Sequence, residues 1–297
     1  MNALSTPRYE LIKPALERYK RRFSVLDLGA GINQPTLGWM IANEFDAIVT
    51  VIEKDLYVQH LEQSPRVIQI RHKMTAADLW RLNECEHFDV VLALNVLHWF
   101  EDDDWLLAAK AVCAMGDFVF VQLPALDEDR DGLPGRTILP SLTQRILSRN
   151  PHHLGDTVQF PRHTPRPLWE LRNGIKKLTR TSWTSHDNSA NTDVYSTDHA
   201  LGAQMKDKTK RYKDWIPGIN LWNFCQLGGV WPSRDRIIEL LKGHRDEHPI
   251  HGDIQPWNFV LDGEQLHLID GGDAWGVPEH DQMNLERTIE EVGKCLS

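Results

Sequence analysis

The sequence predicts an α/β fold built on an open, mostly parallel β-sheet with helices on both faces. Strand-length apolar runs alternate with helix-length segments through residue 122, which is typical of parallel strands joined by helical crossovers. The first run leads into the turn Gly29-Ala30-Gly31, and the second run, residues 47–52, ends in Glu53. Open sheets of this kind bind ligands at the carboxyl ends of their strands, so we expect a binding site there.

The predicted elements follow one another in a regular order. A lead-in helix covers residues 8–21, where apolar side chains recur along one face. A region with many prolines begins at residue 123, and within it residues 137–148 favour a further helix. The parallel strands are predicted at residues 23–28, 47–52, 67–70, 88–94 and 116–122.

The glycine turn indicates the chemistry of the ligand. Glycine has no Cβ, so Gly29 and Gly31 let a ligand approach the backbone closely, and Glu53 can accept both hydroxyls of a ribose. A dinucleotide site usually has a third glycine three residues later, which this sequence lacks. Asp27 would repel a pyrophosphate but can hold an ammonium group. These features disfavour a nicotinamide oxidoreductase and favour S-adenosylmethionine, which carries an ammonium, a ribose diol and an adenine.

The stretch from Asp27 to Gly31 resembles the first motif of class I S-adenosylmethionine-dependent methyltransferases, which has the form acid-x-Gly-x-Gly. The resemblance covers residues 10 to 185 and implies a Rossmann-like fold with cofactor contacts at the strand ends. It assigns Asp78 to the adenine amino group, and Leu94 and Asn95 to the methionine part. The predicted cofactor-binding residues are Asp27, Gly29, Ala30, Gly31, Glu53, Asp78, Leu94 and Asn95.

His98 follows the fourth predicted strand and allows two interpretations. A histidine at this position could act as the general base of a transfer reaction. Beside Trp99, it is equally well explained as a packed or solvated side chain. Both interpretations stay open at this point, and His98 is the candidate catalytic residue of the methyltransferase.

Two further strands complete the predicted sheet. Residues 167–172 and 176–184 are strand-like and flank Asn173-Gly174, and Asn-Gly is the strongest short signal for a β-hairpin. By resemblance to the methyltransferases, they would be the antiparallel sixth and seventh strands of a seven-stranded sheet. The methyltransferase domain is therefore predicted to span residues 1–185, followed by a linker or mobile loop at residues 186–211.

A second group of residues lies near the C-terminus. Asp253, Asn258 and Asp270 occur in the order that phosphoryl transfer needs: a carboxylate to orient the acceptor hydroxyl, then an amide and a carboxylate to hold metal ions. The stretch resembles the catalytic loop of the aminoglycoside phosphotransferase and choline kinase branch of the kinase-like fold, which implies ATP and Mg²⁺. No convincing glycine-rich loop precedes it, so residues 212–297 are predicted as a reduced α+β kinase-like domain.

Composition restricts the location and the partners. The formal net charge of −9 argues against a general nucleic-acid binder, which normally shows a basic patch. The four cysteines show no paired spacing, which indicates reduced thiols in a cytoplasmic protein. No apolar run approaches the length of a membrane span.

The leading functional hypothesis is a methyltransferase that transfers a methyl group from S-adenosylmethionine to an oxygen of a sugar, a phosphosugar or another small polar acceptor. Together the two motifs resemble bacterial fusions of a methyltransferase with a sugar kinase, which modify the ends of polysaccharides. In the leading hypothesis the kinase-like segment is degenerate and packs on the methyltransferase or binds a protein partner. The alternatives are a bifunctional methyltransferase and kinase, and a cofactor-binding scaffold without enzymatic activity.

Overall fold

The structure is a computed structural model with an α/β architecture. It describes residues 5–31, 36–55, 64–126, 128, 135–159, 164–173, 177–178, 192–196, 203–207, 212–214, 216–247, 254–268 and 278–297. The strands are β1 (Phe23–Leu28), β2 (Ala47–Glu53), β3 (Val67–Arg71), β4 (Phe88–Leu94), β5 (Gly116–Gln122), β6 (His152–Gln159), β7 (Thr164–Arg172), β8 (Lys177–Leu178), β9 (Thr192–Ser196), β10 (Ala203–Asp207), β11 (Tyr212–Asp214), β12 (Ile219–Asn220), β13 (Gly229–Trp231), β14 (Phe259–Leu261) and β15 (Leu266–Leu268). The helices are α1 (Ser5–Leu16), α2 (Thr36–Glu44), α3 (Ala76–Cys85), α4 (Trp105–Val112), α5 (Leu139–Leu147), α6 (Leu221–Gln226), α7 (Arg234–Glu247) and α8 (Pro278–Cys295).

The main sheet has eight strands in the order β13-β3-β2-β1-β4-β5-β7-β6. Its five central strands, β3-β2-β1-β4-β5, are parallel neighbours. Every residue of β1, β2, β4 and β5 is buried, as expected for parallel strands that helices cover on both faces. The predicted α/β fold with a mostly parallel sheet is therefore confirmed, and the five predicted parallel strands match the observed ones to within a residue.

Alternation along the strands divides the core into two layers. Leu26 and Leu28 of β1 lie in one apolar cluster with residues of α3, α4 and α5. Phe23 and Val25 of the same strand lie in a second cluster with residues of α1 and α2. Because successive strand residues point to opposite faces, these two clusters are the two faces of the sheet. The helices thus cover both faces, which leaves the strand ends as the place for a ligand.

The predicted hairpin at Asn173-Gly174 is wrong. β7 lies between β5 and β6, antiparallel to both, so neither of its edges is left for a following strand. Among the described residues after Asn173, Lys177–Leu178 pairs with β9 in a separate four-stranded sheet. Asn173 instead closes the end of β7, because its side-chain amide donates to the carbonyls of Cys113 and Gly116. The main sheet also gains an eighth strand that the sequence does not predict.

That eighth strand comes from the C-terminal part of the chain. β13 pairs antiparallel with β3, at the opposite edge of the sheet from β6. Residues of α6, α7 and α8 share the apolar cluster that holds α3 to α5, and β12, β14 and β15 form a small sheet of their own. The four-stranded sheet includes β9 and β10, which lie within the range predicted as a linker.

The buried carboxylate of Glu86 joins the C-terminal part to the main sheet. Its Oε1 accepts hydrogen bonds from the backbone N–H of Asn220 at 3.0 Å and from the side-chain amide of Asn223 at 2.6 Å. Burial raises the pKa of Glu86 to about 7 although both of these donors lower it. No helix among the described residues has the length and apolar character needed to cross a membrane.

Candidate functional site

The glycine turn after β1 has the backbone that its sequence requires. Gly29 and Gly31 have φ angles of 68° and 97°, in the left-handed region that favours glycine. A Cβ on Gly29 would lie 2.9 Å from Cγ2 of Val96, so the turn packs tightly against the segment after β4. A Cβ on Gly31 would meet no heavy atom of the described residues within 4 Å. The turn is therefore anchored on one side and leaves space for a ligand on the other.

Glu53, the last residue of β2, is tied to this turn. Its Oε2 accepts a hydrogen bond from the backbone N–H of Gly31 at 3.1 Å, and its Oε1 accepts one from Asp55 at 3.3 Å. A carboxylate has about four lone-pair positions, so two remain for further donors. The side chain is held in place at the strand end with the acceptors that a ribose diol would need.

Asp27 lies buried just before the glycine turn. Burial raises the pKa of its carboxyl to about 7; nearby Arg8 opposes this shift and Glu53 adds to it. A Cβ on Gly38 would lie 3.5 Å from Oδ2 of Asp27, so the first turns of α2 cover the carboxylate. Within the described part of the chain no hydrogen-bond donor reaches it. Asp27 is therefore an acid whose ionised form a cationic ligand group would stabilise.

Asn95 follows Leu94 at the end of β4 and has a φ angle of 61°. Asparagine tolerates this left-handed conformation better than most residues. Its side-chain N–H donates to Oε1 of Gln122 at 3.0 Å, whereas its own Oδ1 is buried without a hydrogen-bond donor among the described residues. A buried acceptor without a partner is costly, so Asn95 marks a place where a ligand donor is expected.

Sequence reasoning missed Arg8 and Gln122. Gln122 ends β5, and its amide makes four hydrogen bonds: it accepts from Arg8 and Asn95, and it donates to Thr157 and to the carbonyl of Arg166. The resemblance that assigned Asn95 gave no role to Gln122, although a polar residue at the end of a parallel strand is a signal that could have found it. Arg8 gave no signal, because it comes from α1, far from the strands in sequence.

Arg8 places a desolvated positive charge at the carboxyl ends of the parallel strands. Its Nε donates to Gln122 at 2.9 Å, and its two terminal nitrogens have no acceptor among the described residues. Burial and the charge of Arg166 lower the pKa of Arg8 to about 10, while Asp27 raises it. Arg166 itself is neutralised by a buried two-pronged ion pair with Glu128, with distances of 2.8 and 2.6 Å. Arg8 therefore retains donors for an anionic group.

Asp78 has a structural task in α3. It is the third residue of the helix and forms a capping box with Thr75, whose backbone N–H and hydroxyl both donate to Oδ2. His72 also contacts Oδ2, at 3.1 Å. Burial would raise the pKa of Asp78, but the hydrogen bonds from Thr75 and His72 hold it below its usual value. Its other oxygen, Oδ1, has no such contact, and the assignment to adenine stays a prediction.

His98 lies in a short 3₁₀ turn, Leu97–Phe100, and only 3% of it is exposed. A Cβ on Gly135 would fall 2.0 Å from the carbonyl oxygen of His98, so the segment before α5 closes over it. The neighbouring Trp99 is 57% exposed, and Nζ of Lys54 lies 5.7 Å from the centre of its ring. The protein encloses His98 and presents Trp99 to solvent, and a catalytic role for His98 stays a prediction.

The kinase-like residues are described only in part. Asp253 and Asp270 lie outside the described residues. Asn258 is buried in a 3₁₀ turn, Pro256–Asn258, that leads into β14. The carbonyl of the preceding Trp257 accepts a hydrogen bond from Asn220, the residue that caps α6. The assignments of Asp253, Asn258 and Asp270 to kinase chemistry therefore remain predictions from sequence.

Comparison with known proteins gives likeness in structure only. No family model matches the sequence, and no curated protein matches it. The N-methyltransferase NodS from Bradyrhizobium japonicum is 13% identical, with a TM-score of 0.43 over 58% of this chain and 97% of its own. The magnesium protoporphyrin IX methyltransferase ChlM from Synechocystis, solved with bound SAM, is 13% identical, with a TM-score of 0.39 over 57% of this chain and 78% of its own.

An O-methyltransferase family protein from Burkholderia thailandensis is 12% identical, with a TM-score of 0.39 over 58% of this chain and 60% of its own. All three TM-scores lie below 0.5. At such distances a likeness carries no argument about activity.

Proposed function

We propose that this chain binds S-adenosylmethionine at the carboxyl edge of its sheet and transfers the methyl group to a small polar acceptor. The observation that carries the proposal is the meeting of three incompletely satisfied groups at one place. Arg8 and Asn95 both lie within 3.0 Å of the same oxygen of Gln122, and Asp27 is close enough to shift the pKa of Arg8. A ligand with a positive and a negative end would satisfy all of them.

The amino-acid end of S-adenosylmethionine has this character. Its ammonium suits the carboxylate of Asp27 and the free Oδ1 of Asn95, because both are acceptors. Its carboxylate suits the unused donors of Arg8, since guanidinium groups bind carboxylates through two parallel hydrogen bonds. The remaining lone pairs of Glu53 suit the ribose diol. A pyrophosphate would instead meet the charge of Asp27, which supports S-adenosylmethionine over a dinucleotide.

The chemistry follows from the bound cofactor. Held by Arg8, Asp27, Glu53 and Asn95, S-adenosylmethionine would supply an activated methyl group on its sulfonium, which an acceptor oxygen would take up as the carbon–sulfur bond breaks and S-adenosylhomocysteine leaves. The acceptor's proton goes to a base or to water. Such a reaction depends chiefly on holding the acceptor in line with the sulfonium methyl group. A sugar or phosphosugar hydroxyl is our proposed acceptor, and this part rests on the resemblance to methyltransferase–kinase fusions.

Calorimetry with S-adenosylmethionine and S-adenosylhomocysteine tests the binding proposal. Arg8→Gln, Asp27→Asn and Asn95→Gly each remove one ligand group, and glycine keeps the left-handed backbone that position 95 requires. A hydrogen bond to a charged group is worth about 1.5–3 kcal/mol, so each variant should bind the cofactor roughly tenfold to a hundredfold more weakly. Arg18→Gln removes the same charge from a partly exposed site and should bind normally.

The proposal fails if the wild-type chain binds neither compound, or if Arg8→Gln and Asp27→Asn bind as tightly as Arg18→Gln. Transfer itself is tested by labelled methyl incorporation into sugar, phosphosugar, nucleotide and nucleic-acid acceptors. Binding of the cofactor without transfer to any acceptor would support the scaffold alternative. The four cysteines have no disulfide, and three of them are buried, which supports our proposal of a reducing, cytoplasmic location.

The kinase-like alternative is carried by the sequence motif alone. It requires ATP and Mg²⁺ and places Asp253 on the acceptor hydroxyl, with Asn258 and Asp270 on the metal. Phosphate transfer from ATP that disappears in both Asp253→Ala and Asp270→Ala would establish a bifunctional protein. If ATP does not bind, the segment is degenerate and its proposed role is to pack on the main sheet or to bind a protein partner.

A further inference from the structure

A buried cluster of ionisable residues lies at the amino ends of the parallel strands, opposite the carboxyl ends that hold the proposed cofactor site. His87 comes directly before β4, Asp89 is the second residue of β4, and Asp117 is the second residue of β5. Phe88 pairs with Gly116 and Val90 with Phe118, so the two aspartates occupy matching positions on neighbouring parallel strands. Each of the three residues is at most 1% exposed. Buried like charges side by side repel each other unless a cation lies between them.

The carboxylates of Asp89 and Asp117 differ in the hydrogen bonds that they accept. Oδ2 of Asp89 accepts from the backbone N–H of Ser24 at 2.7 Å, from its hydroxyl at 3.1 Å and from Arg21 at 3.4 Å, and Oδ1 accepts from Arg21 at 2.5 Å. Neither oxygen of Asp117 has a hydrogen-bond donor among the described residues, and Nε2 of His87 lies 3.4 Å from its Oδ1. An ionised buried carboxylate without a hydrogen bond costs several kcal/mol. A cation bound beside Asp117 would remove this cost.

The geometry of the cluster fits a small divalent ion. The ligand atoms of the three residues all lie within 4.8 Å of one another. Atoms at the corners of such a triangle are at most about 2.8 Å from its centre, compared with about 2.0–2.2 Å for bonds from zinc to nitrogen or carboxylate oxygen. To bind zinc, each ligand atom would therefore have to move toward the centre by less than about 1 Å. Arg21 competes for Asp89, but its side chain is partly exposed and can move outward.

We propose that His87, Asp89 and Asp117 bind one Zn²⁺ or a similar transition-metal ion as a structural site. One imidazole nitrogen, one oxygen of Asp89 and both oxygens of Asp117 supply four ligand atoms, the number that structural zinc takes. The ion would join the beginnings of β4 and β5 and remove the charge repulsion between their acids. This site is separate from the cofactor edge, so it does not depend on the proposed methyltransferase activity.

Zinc titration of the chelator-treated full chain, followed by calorimetry and thermal unfolding, tests the site. We expect one equivalent of zinc to bind and to raise the unfolding temperature, and Co²⁺ to give visible absorption bands from a nitrogen and oxygen ligand set. His87→Gln and Asp117→Asn should each weaken zinc binding at least tenfold. The exposed pair His153 and Asp156 has the same residue types, so His153→Gln is the matched control and should bind zinc normally.

The stability of Asp117→Asn gives a second, independent result. In chelator this variant should unfold at a higher temperature than the wild type, because it replaces a buried carboxylate that has no hydrogen-bond donor among the described residues. In zinc the order should reverse, since only the wild type gains the metal. A wild-type chain that binds no zinc or cobalt, or an Asp117→Asn variant that is more stable in both conditions, overturns the proposal.

Discussion

The titration of Asp27 gives a quantitative test of the cofactor site. The pKa of this carboxyl is raised to about 7, with burial as the main cause, and an ammonium ligand requires its ionised form. At pH 6 only about one molecule in ten carries the ionised carboxylate, whereas at pH 8 about nine in ten do, as the definition of a pKa of 7 implies. Cofactor affinity should therefore rise roughly tenfold between pH 6 and pH 8, which corresponds to about 1.4 kcal/mol.

The sign of this effect is opposite for the stability of the free protein. A carboxyl whose pKa is raised by folding stabilises the native state fully below its unfolded pKa and loses that contribution as the pH rises toward 7. The ligand-free chain should thus become less stable over the same range in which it binds the cofactor better. Asp27→Asn, which resembles the protonated acid, should be more stable than the wild type at pH 8 and should bind the cofactor weakly.

Calorimetry with S-adenosylhomocysteine at several pH values measures the dependence directly. The wild-type curve should have its midpoint near pH 7, and the curve of Asp27→Asn should lack that midpoint. Asp55→Asn removes an exposed acid near the same strand end, so it should keep the wild-type curve. An affinity that does not change between pH 6 and pH 8, or an identical slope in Asp27→Asn, would refute the role assigned to this carboxylate.

Three further substitutions test the framework, each by chemical unfolding. Glu86→Gln should stabilise the chain by up to about 3 kcal/mol at pH 8 and by little at pH 5. The reason is that folding raises the pKa of Glu86 to about 7, so the ionised carboxylate costs stability as the pH rises. An equal stabilisation at pH 5 and pH 8 would contradict this reasoning. Gly29→Ala should cost about 1–2 kcal/mol through its left-handed backbone and its contact with Val96, whereas Gly243→Ala, in open space on α7, should be neutral or stabilising. Arg166→Met should cost about 3–5 kcal/mol because it removes the buried guanidinium that pairs with Glu128, and adding Glu128→Gln should recover part of this cost; no recovery would argue against the pair.

The central strands were predictable because burial on both faces requires a recognisable sequence pattern. Strands covered on both faces need nearly continuous apolar runs, and residues 88–94 or 116–122 have few other interpretations. The position of Glu53 and Asn95 followed from the same rule, since polar residues directly after such runs lie at one edge of the sheet. For these residues the local pattern and the tertiary structure require the same arrangement.

The outer strands were not predictable in this way. β6 has the sequence His-His-Leu-Gly-Asp-Thr-Val-Gln and lies at the edge of the sheet, so only part of it needs to be apolar. β13 has three residues, which is too short for a periodicity signal. The Asn173-Gly174 signal is local, and it was overridden because β7 has a neighbouring strand on each side. Sequence reasoning missed Arg8 for a related reason, because only the packing of α1 brings it to the strand ends.

The carboxyl ends and the amino ends of the parallel strands show the same electrostatic feature. Asp27 at the carboxyl edge and Asp117 at the amino edge are both buried acids that the described residues leave without a hydrogen-bond donor. Asp117 and Gln122 lie at opposite ends of β5, which at 3.3 Å per residue separates the edges by about 17 Å. Groups this far apart without shared partners act independently, so the stabilising effects of cofactor and metal should add. If both proposals hold, each buried acid prepares a site for a cation, an ammonium group at the carboxyl ends of the strands and a metal ion at their amino ends.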